Sequence, residues 1–354
     1  MSVPLPDDLA LDGAALEPPL IAASPYVGWT PDWRLAGLDG VAAVEWFGPP
    51  RLDPIGTLLG IEATAVEFGA VTFAMPWTDW GVGPDGELQP GIVAVLADHT
   101  HAGGVFTTFE PMQGLATVDL FVSFVERPRR EGGDLSCSVE ALAPDEEGGL
   151  AFSTGTVRDA SGRLLAQSTA RCFVFSIPGE PPDHEEVERP DASEIWSRAP
   201  SRRPVTGEVL DRERRDRIDS LQMLRELASG QLPAPPVYHL TGQRPVRAEP
   251  GETVFAMVAT PWLSSFTMNV QGGALAQLAA ATAAGAVDTT LNGSRRSRLV
   301  ELRIQFIQAV QAQGQPILAT AAVTHRGRSV AFSACDLYSA EGARLACATA
   351  THSI

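Results

Sequence analysis

No lysine occurs in this chain of 354 residues: its 26 basic side chains are all arginine, set against 43 carboxylates for a formal net charge of −17. So acidic a balance excludes nucleic acid and anionic membrane as general partners, because phosphate attraction needs basic surface. Cysteine is scarce. The four present (Cys137, Cys172, Cys335 and Cys347) show no Cys-x-x-Cys spacing and fall in apolar, strand-like runs, so they read as reduced core residues of a cytosolic protein. Long apolar runs are missing too; the longest, 274–287, is too short and too alanine-rich to cross a bilayer. The opening Met1-Ser-Val-Pro-Leu-Pro-Asp-Asp lacks a basic region followed by an apolar run, so no secretory leader is expected. These absences leave the expectation of a soluble, cytoplasmic bacterial protein with two domains, each large enough for its own core.

What the chain does have is a repeat. Gln271-Gly-Gly-Ala-Leu-Ala-Gln-Leu-Ala-Ala-Ala-Thr-Ala-Ala-Gly285 is a Gly-Gly turn feeding an alanine-rich, charge-free helix, the composition of a helix buried on all sides. A second copy precedes it as Gln89-Pro-Gly-Ile-Val-Ala-Val-Leu-Ala-Asp-His-Thr-His-Ala-Gly103, at an offset of 182 residues (271 − 89). The same offset relates Phe73-Ala-Met75 to Phe255-Ala-Met257, Gly60 to Gly242, Leu96 to Leu278, Asp119 to Glu301 and Phe124 to Phe306. One register held over such a span marks a tandem duplication.

Around the two copies the chain divides into four parts. Residues 1–50, rich in Pro, Gly and Trp, read as an extension wrapped on the first domain, with Trp29, Trp33 and Trp46 packing it down. The first domain, 51–177, starts with a short helix over 53–60 and a strand pair, 62–68 and 70–77, turning at Gly69; a loop over 78–88 leads into the first central helix. Apolar, β-rich runs follow at 115–125, 135–142, 151–157 and 164–175, each ending at turn signals. Residues 178–211, rich in proline and acid, form a linker or surface strap. The second domain, 212–354, opens with an amphipathic helix over 212–229 that puts Ile218, Leu221, Leu224 and Leu227 on one side. Strand material at 252–259, the central helix and strands over 299–310, 316–324, 329–338 and 344–352 complete it. Asp159-Ala-Ser-Gly162-Arg-Leu-Leu-Ala166 is answered by Ser339-Ala-Glu-Gly342-Ala-Arg-Leu-Ala346, now at an offset of 180 (342 − 162).

One long apolar helix per half, followed by long antiparallel strands, suits a sheet curled around that helix. Both copies resemble the hotdog fold of acyl-CoA thioesterases. The phenylacetyl-CoA thioesterase branch has a His-Gly-Gly turn, a helix with Asp near its middle, a Ser/Thr on the next strand and a closing Asp-x-x-Gly-x-Leu-x-Ala. Against these stand Gln89-Pro-Gly91, Asp98, Ala116-Thr-Val-Asp119 and Asp159 to Ala166. Val270-Gln-Gly-Gly273 with Gln277 is also similar to the double-hotdog medium-chain acyl-CoA thioesterases. The resemblance implies an α+β double hotdog: two curled antiparallel sheets, each wrapped on one central helix, forming an intrachain pseudo-dimer, with homo-oligomers of that pseudo-dimer left open. It implies hydrolysis of an acyl-CoA thioester, coenzyme A being part of the substrate, with no separate cofactor and no metal. Two alternatives stay open: a non-catalytic acyl-CoA-binding protein, and a hotdog-fold enoyl-CoA hydratase. The second is the weaker, since no Asp/His pair follows a Gly-Asp-x-Asn-Pro segment.

Asp98 stands alone as an acid in an apolar helix, and a buried carboxylate is costly unless it has partners. It follows Gly91 by seven residues (98 − 91), about 10 Å along the helix axis, so one helix cannot bring its own acid to its own N-terminal N–H groups. The second helix, antiparallel across a pseudo-two-fold axis, can. That pairing predicts two candidate sites. The first joins Asp98 and Thr117 to Gln271, Gly272 and Gly273. There the N–H of Gly272 or Gly273, aided by the helix dipole, would hold the oxyanion, and glycine would let the acyl group approach the backbone. Asp98 would act as base or as nucleophile, Thr117 would hold the water or the carboxylate, and Gln271, where the phenylacetyl branch has His, would donate an amide N–H. The second site would rest on the counterparts Ala280, Leu299 and Pro90, which lack the acid, the hydroxyl and one N–H; it is expected to be closed.

Further candidates surround the first site. The family's asparagine, six residues before the His of the turn, maps to Ser265 (271 − 6), with Asn269 nearby as a substitute, and both are substrate-binding candidates. The glutamine that completes the double-hotdog medium-chain site falls near Ala170, with Gln167 the closest such residue. Arg295, Arg296 and Arg298 are candidates for coenzyme A phosphates, as are Arg127, Arg129 and Arg130, although a solvated strand-end turn accounts for either set equally well. His99 and His101 do not share one helix face with Asp98, so they read as interface or solvated groups and not as metal ligands.

Overall fold

Position by position, the two halves lay down the same elements. In the first half, helices α1 (Gly40–Phe47) and α2 (Pro54–Leu59) precede strands β1 (Glu62–Glu67) and β2 (Ala70–Met75), the central helix α3 (Pro90–Phe106) and strands β3 (Gln113–Phe124), β4 (Leu135–Leu142), β5 (Leu150–Asp159) and β6 (Leu164–Ser176). A connecting segment carries α4 (Ala192–Arg198) and α5 (Arg212–Arg217). The order then returns as α6 (Ser220–Ala228), α7 (Pro236–Thr241), β7 (Arg244–Glu249), β8 (Glu252–Val258), α8 (Gly272–Asp288), β9 (Arg298–Phe306), β10 (Pro316–Arg326), β11 (Val330–Ser339) and β12 (Arg344–Ser353). The computed structural model describes residues 3–4, 26, 28, 32–48, 52–144, 149–180, 187–188 and 190–354; Trp29 and the acid-rich run 181–186 lie outside them. No described helix is long and apolar enough to cross a membrane.

Local chemistry explains the shared boundaries. Both α2 and α7 begin with proline in the first turn, where no N–H is needed, and both stop at a left-handed glycine, Gly60 (φ +73°) and Gly242 (φ +74°). Within the central helices, Thr100 and Thr282 return their hydroxyls to the carbonyls four residues back, each at 2.7 Å, so two buried polar groups need no outside partner. At the helix ends Thr107 and Thr289 accept the turn N–H groups of Gly69 and Gly251, both at 2.9 Å, and tie each hairpin to its helix. The repeat also reaches further back than the sequence indicates: α1 lies against β1 and α3 as α6 lies against β7 and α8. One expected helix is two. The backbone extends at Ile218 (φ −82°, ψ 127°), and Asp219 caps a fresh helix by accepting the Gln222 N–H at 2.8 Å. The reason is that Arg212–Arg217 holds no apolar residue to bury, whereas α6 carries Met223 and Leu224 inward.

Where two sheets were expected, the strands form one antiparallel sheet of 12, in the order β1-β2-β4-β5-β6-β3-β9-β12-β11-β10-β8-β7. That order reads the same from either end once each strand is exchanged for its repeat. The halves meet where β3 pairs with β9, from Asp119↔Gln305 to Ser123↔Glu301. Midway, Phe121 pairs with Arg303, which is the same place in the repeat (303 − 121 = 182), so a pseudo-two-fold axis passes through that pair. The helices obey the same axis and run antiparallel: Gly91 abuts Gln277, and Gly273 abuts Val95. Each helix covers its own half of the sheet, and Trp80 and Trp262, Phe73 and Phe255 fill equivalent places in the core.

Candidate active site

Asp98 reaches the start of α8 from the middle of α3. Its side chain is 1% exposed, and Oδ2 accepts the Gly273 N–H at 2.7 Å. That N–H is one of the donors a helix start leaves without an intrahelical partner, and the helix dipole adds to the attraction. The approach demands glycine. A Cβ on Gly272 would stand 3.1 and 3.2 Å from the two carboxylate oxygens and 2.9 Å from the Phe306 ring, and one on Gly273 would stand 2.6 Å from Val95 Cα. Burial pushes the acid up to about 6, opposed by the Gly273 N–H and the Thr117 hydroxyl, which both favour the ionised form. Oδ1 is buried without a well-formed hydrogen bond, so the hydroxyl acts from beyond full bonding geometry.

Thr117 faces this space because β3 bulges between Thr117 and Asp119, as β9 does between Leu299 and Glu301. Among the described residues nothing accepts the N–H of Gly272, whereas the Gly273 N–H goes to Asp98 and the Ala274 N–H to Gln271 O at 3.0 Å. Of the two glycines, then, Gly272 is the one with a donor to give. Gln271 is 6% exposed, and both polar atoms of its amide are buried without a hydrogen bond. With Ala102, Leu275, Phe266 and Phe306, these groups line a cavity of about 260 Å³. Ser265 and Asn269 form its rim through Thr267, whose Oγ1 lies 2.8 Å from Ser265 Oγ and accepts Asn269 Nδ2 at 3.2 Å. The rim turns at Met268 (φ +58°), a strained left-handed residue where the first half has Gly86 (φ +81°).

Other candidates do not arrive. Arg296 and Arg298 lie across the pseudo-dyad: Arg296 donates to Arg295 O at 3.1 Å and to Ile218 O at 3.2 Å, and Arg298 to Phe124 O at 3.4 Å. Neither they nor Arg295 line the Asp98 cavity. They sit at the start of β9, whereas the end of that strand, at Phe306, is what reaches Asp98. Arg127 and Arg130 pair with Glu87 and Asp79 on that same far side. Ala170 is buried in β6 while Gln167 is exposed, so no glutamine enters from that strand. The two histidines are neither solvated nor at an interface. His101 is braced between the hydroxyls of Ser153 (2.7 Å) and Ser168 (2.8 Å), with burial pulling it down to about 3, and His99 lies 3.6 Å from the buried Asp53 carboxylate.

The counterpart site lacks the chemical parts but keeps its space. Pro90, Ala280 and Leu299 stand where the first site has Gly272, Asp98 and Thr117, around a cavity of about 110 Å³. Two acids that sequence reasoning missed, Asp85 and Asp288, also line it. The signal was there: Asp288 ends an otherwise charge-free helix at the place where the first copy has Phe106.

Comparison with known proteins follows the same lines. Residues 269–346, which include the Gln271-Gly-Gly273 turn and α8, match the thioesterase superfamily. The fold is similar to that of a tesB protein from Mycobacterium avium subsp. paratuberculosis, at 12% identity over 82% of this chain and 95% of that one, with a TM-score of 0.52. It is similar also to a candidate thioesterase from Novosphingobium aromaticivorans, at 16% identity over 80% and 95% of the two chains, with a TM-score of 0.50. At such identities the likeness establishes the fold alone. No curated protein sequence matches the chain. The family match thus covers the turn, the central helix and the strands of the second half, and the likeness of the whole chain is one of fold.

Proposed function

We propose that this chain hydrolyses acyl-CoA thioesters at one composite site, formed between α3 of one half and the start of α8 of the other in an intrachain double-hotdog pseudo-dimer. The contact that carries the reading is Asp98 Oδ2 to Gly273 N–H at 2.7 Å, which sets a buried carboxylate beside a helix start whose Gly272 N–H is unused. The thioester carbonyl oxygen takes the Gly272 N–H, and that donor and the helix dipole stabilise the oxyanion as it forms. Asp98, at about 6, is ionised at neutral pH and accepts a proton from the attacking water as the C–O bond forms. The proton passes to sulfur as the C–S bond breaks, releasing free acid and coenzyme A thiol. Thr117 orients the water, the unpaired amide of Gln271 supplies a second donor, and Phe266, Leu275 and Phe306 bound the acyl group.

Steady-state hydrolysis of acyl-CoAs of graded chain length, by wild type and Asp98→Asn, tests this. Asn keeps the shape and removes the base, so turnover should fall by at least roughly two orders of magnitude while the fold is kept. Hydrolysis near the wild-type rate in the variant would make Asp98 structural. Tight acyl-CoA binding without turnover by the wild type would make the chain a binding protein.

A further inference from the structure

The second cavity is more than a vestige. The positions that answer its charged residues in the repeat are neutral: Thr267 answers Asp85, Phe106 answers Asp288 and Gly114 answers Arg296. At these three positions charge therefore stands in one copy only, beside the site that lost the acid, the hydroxyl and the N–H. Asp288 Oδ1 accepts the Ser297 N–H at 2.6 Å and Asp85 Oδ1 accepts the Glu87 N–H at 3.2 Å; among the described residues no basic group stands within ion-pair distance of either. Burial raises both acids, the Asp85 charge raises Asp288 further, and it adds to the burial that raises the Tyr238 phenol.

The Arg296 charge lowers Asp288 and the Arg127 charge lowers Asp85, so each shift is offset in part, from beyond ion-pair distance. The Arg296 guanidinium directs its donors to the carbonyls of Arg295 and Ile218, and Arg298 directs its own to Phe124 and Val125. Glu87 and Arg127 at the mouth neutralise one another. A second, independent feature faces the same space: Ser220, only 1% exposed, lines the cavity with its hydroxyl bonded to nothing. The rest of the wall is apolar, from Met223, Leu224, Phe255 and Leu299. A buried hydroxyl without a partner, beside two half-buried carboxylates that lack an ion pair among the described residues, is a site awaiting a donor.

We propose that this second cavity binds a small organic cation, an ammonium group on a short aliphatic stem, with the ammonium between Asp85 and Asp288 and one N–H on Ser220 Oγ. The stem lies along Met223, Leu224 and Leu299. A volume of about 110 Å³ admits few heavy atoms, which limits the stem to a few carbons.

The probes are n-butylamine hydrochloride, 1-butanol and sodium butyrate, each titrated calorimetrically into the full chain at pH 7.5 and fixed ionic strength. Butylammonium should bind saturably at one site per chain and raise the melting temperature as its concentration exceeds Kd, whereas the alcohol and the carboxylate should do neither. Asp288→Asn and Asp85→Asn keep an acceptor oxygen for their backbone partners and should each weaken binding at least tenfold. Ala284→Leu, which fills the cavity and leaves both acids in the sequence, should abolish it while circular dichroism stays native. Equal binding of butanol would reduce the site to an apolar pocket, and preferential binding of butyrate would hand it to Arg296; either overturns the proposal. So does butylammonium binding that survives all three substitutions, or no saturable binding. None of these readings involves thioester hydrolysis, so their failure leaves the Asp98 site where it stands.

Discussion

Asp98→Asn should stabilise the protein even as it disables it. A carboxyl that titrates at about 6 in the folded chain and at the ordinary 3.8 when unfolded holds its proton more tightly in the native state. Its ionisation therefore favours unfolding. The penalty is absent below the unfolded value, grows as pH rises from 3.8 to about 6, and stays constant above. At pH 7 a gap of about two units corresponds to about 3 kcal/mol, at pH 5 to about half of that, and at pH 4 to about 0.5 kcal/mol. Asparagine retains a carbonyl oxygen for the Gly273 N–H and carries no charge, so the contact survives and the penalty goes. Every other titrating group is common to both proteins and cancels in the difference. Denaturant unfolding of the two proteins at pH 7, 5 and 4 reads the effect, with a variant that melts several degrees higher at pH 7 as the simpler check. A variant no more stable at pH 7, or one whose advantage does not shrink towards pH 4, would refute the picture of an ionised carboxylate held in an under-solvated cavity. The rate must fall in the same variant, since a stable and still active Asp98→Asn protein would separate the burial from the chemistry.

Gly272→Pro removes the unused N–H and also crowds Asp98 and Phe306, so kcat/KM should fall by at least roughly 10²–10³; the helix should survive, because Pro90 already occupies that place in α3. Thr117→Val deletes a hydroxyl that favours ionised Asp98, so the acidic limb of the pH–rate profile should move to higher pH, with a larger loss at pH 6 than at pH 8; an unmoved limb with a uniformly lower rate would restrict Thr117 to the water. Ala280→Asp should restore no hydrolysis to Asp98→Asn, because Leu299 and Pro90 still lack hydroxyl and donor, and a third acid beside Asp85 and Asp288 should lower the melting temperature. Burial holds His101 and His352 down to about 3 and 4, so the native state refuses protons that the unfolded chain takes up below about 6.5. Stability should therefore drop as pH falls from that value, and His101→Gln should flatten the drop in denaturation curves.

How much of this was written in the sequence depends on the distance over which each feature is decided. The central helices were legible because apolar composition and a fixed offset are local and repeated, and the Asp98–Gly273 contact followed once helix rise ruled out self-contact. Which glycine keeps a free N–H was not legible, since it turns on one 2.7 Å hydrogen bond that either could have made. Where the arginines at 295, 296 and 298 would fall was not legible, because closeness in sequence to β9 does not say which end of that strand serves which site. His99 and His101 looked polar enough for the surface; serine partners on β5 and β6, 52 and 67 residues from His101, are what make burial tolerable. The charged second cavity was missed for a different reason: only a comparison of the copies position by position exposes Phe106 against Asp288.

The pairing of Phe121 with Arg303 at the junction of the sheet carries a consequence for how this protein is free to change. In an assembly of two identical chains, a residue on the rotation axis meets its own copy, so an arginine there would oppose an arginine, and like charges directly across antiparallel strands are destabilising. Each substitution would also be made twice, once in either site. A single covalent chain lifts both restrictions: an aromatic ring and a guanidinium share the axis, and Asp98 has kept its acid while Ala280 has not. The tether also holds the halves at an effective concentration on the order of millimolar, so a site assembled from both does not come apart on dilution.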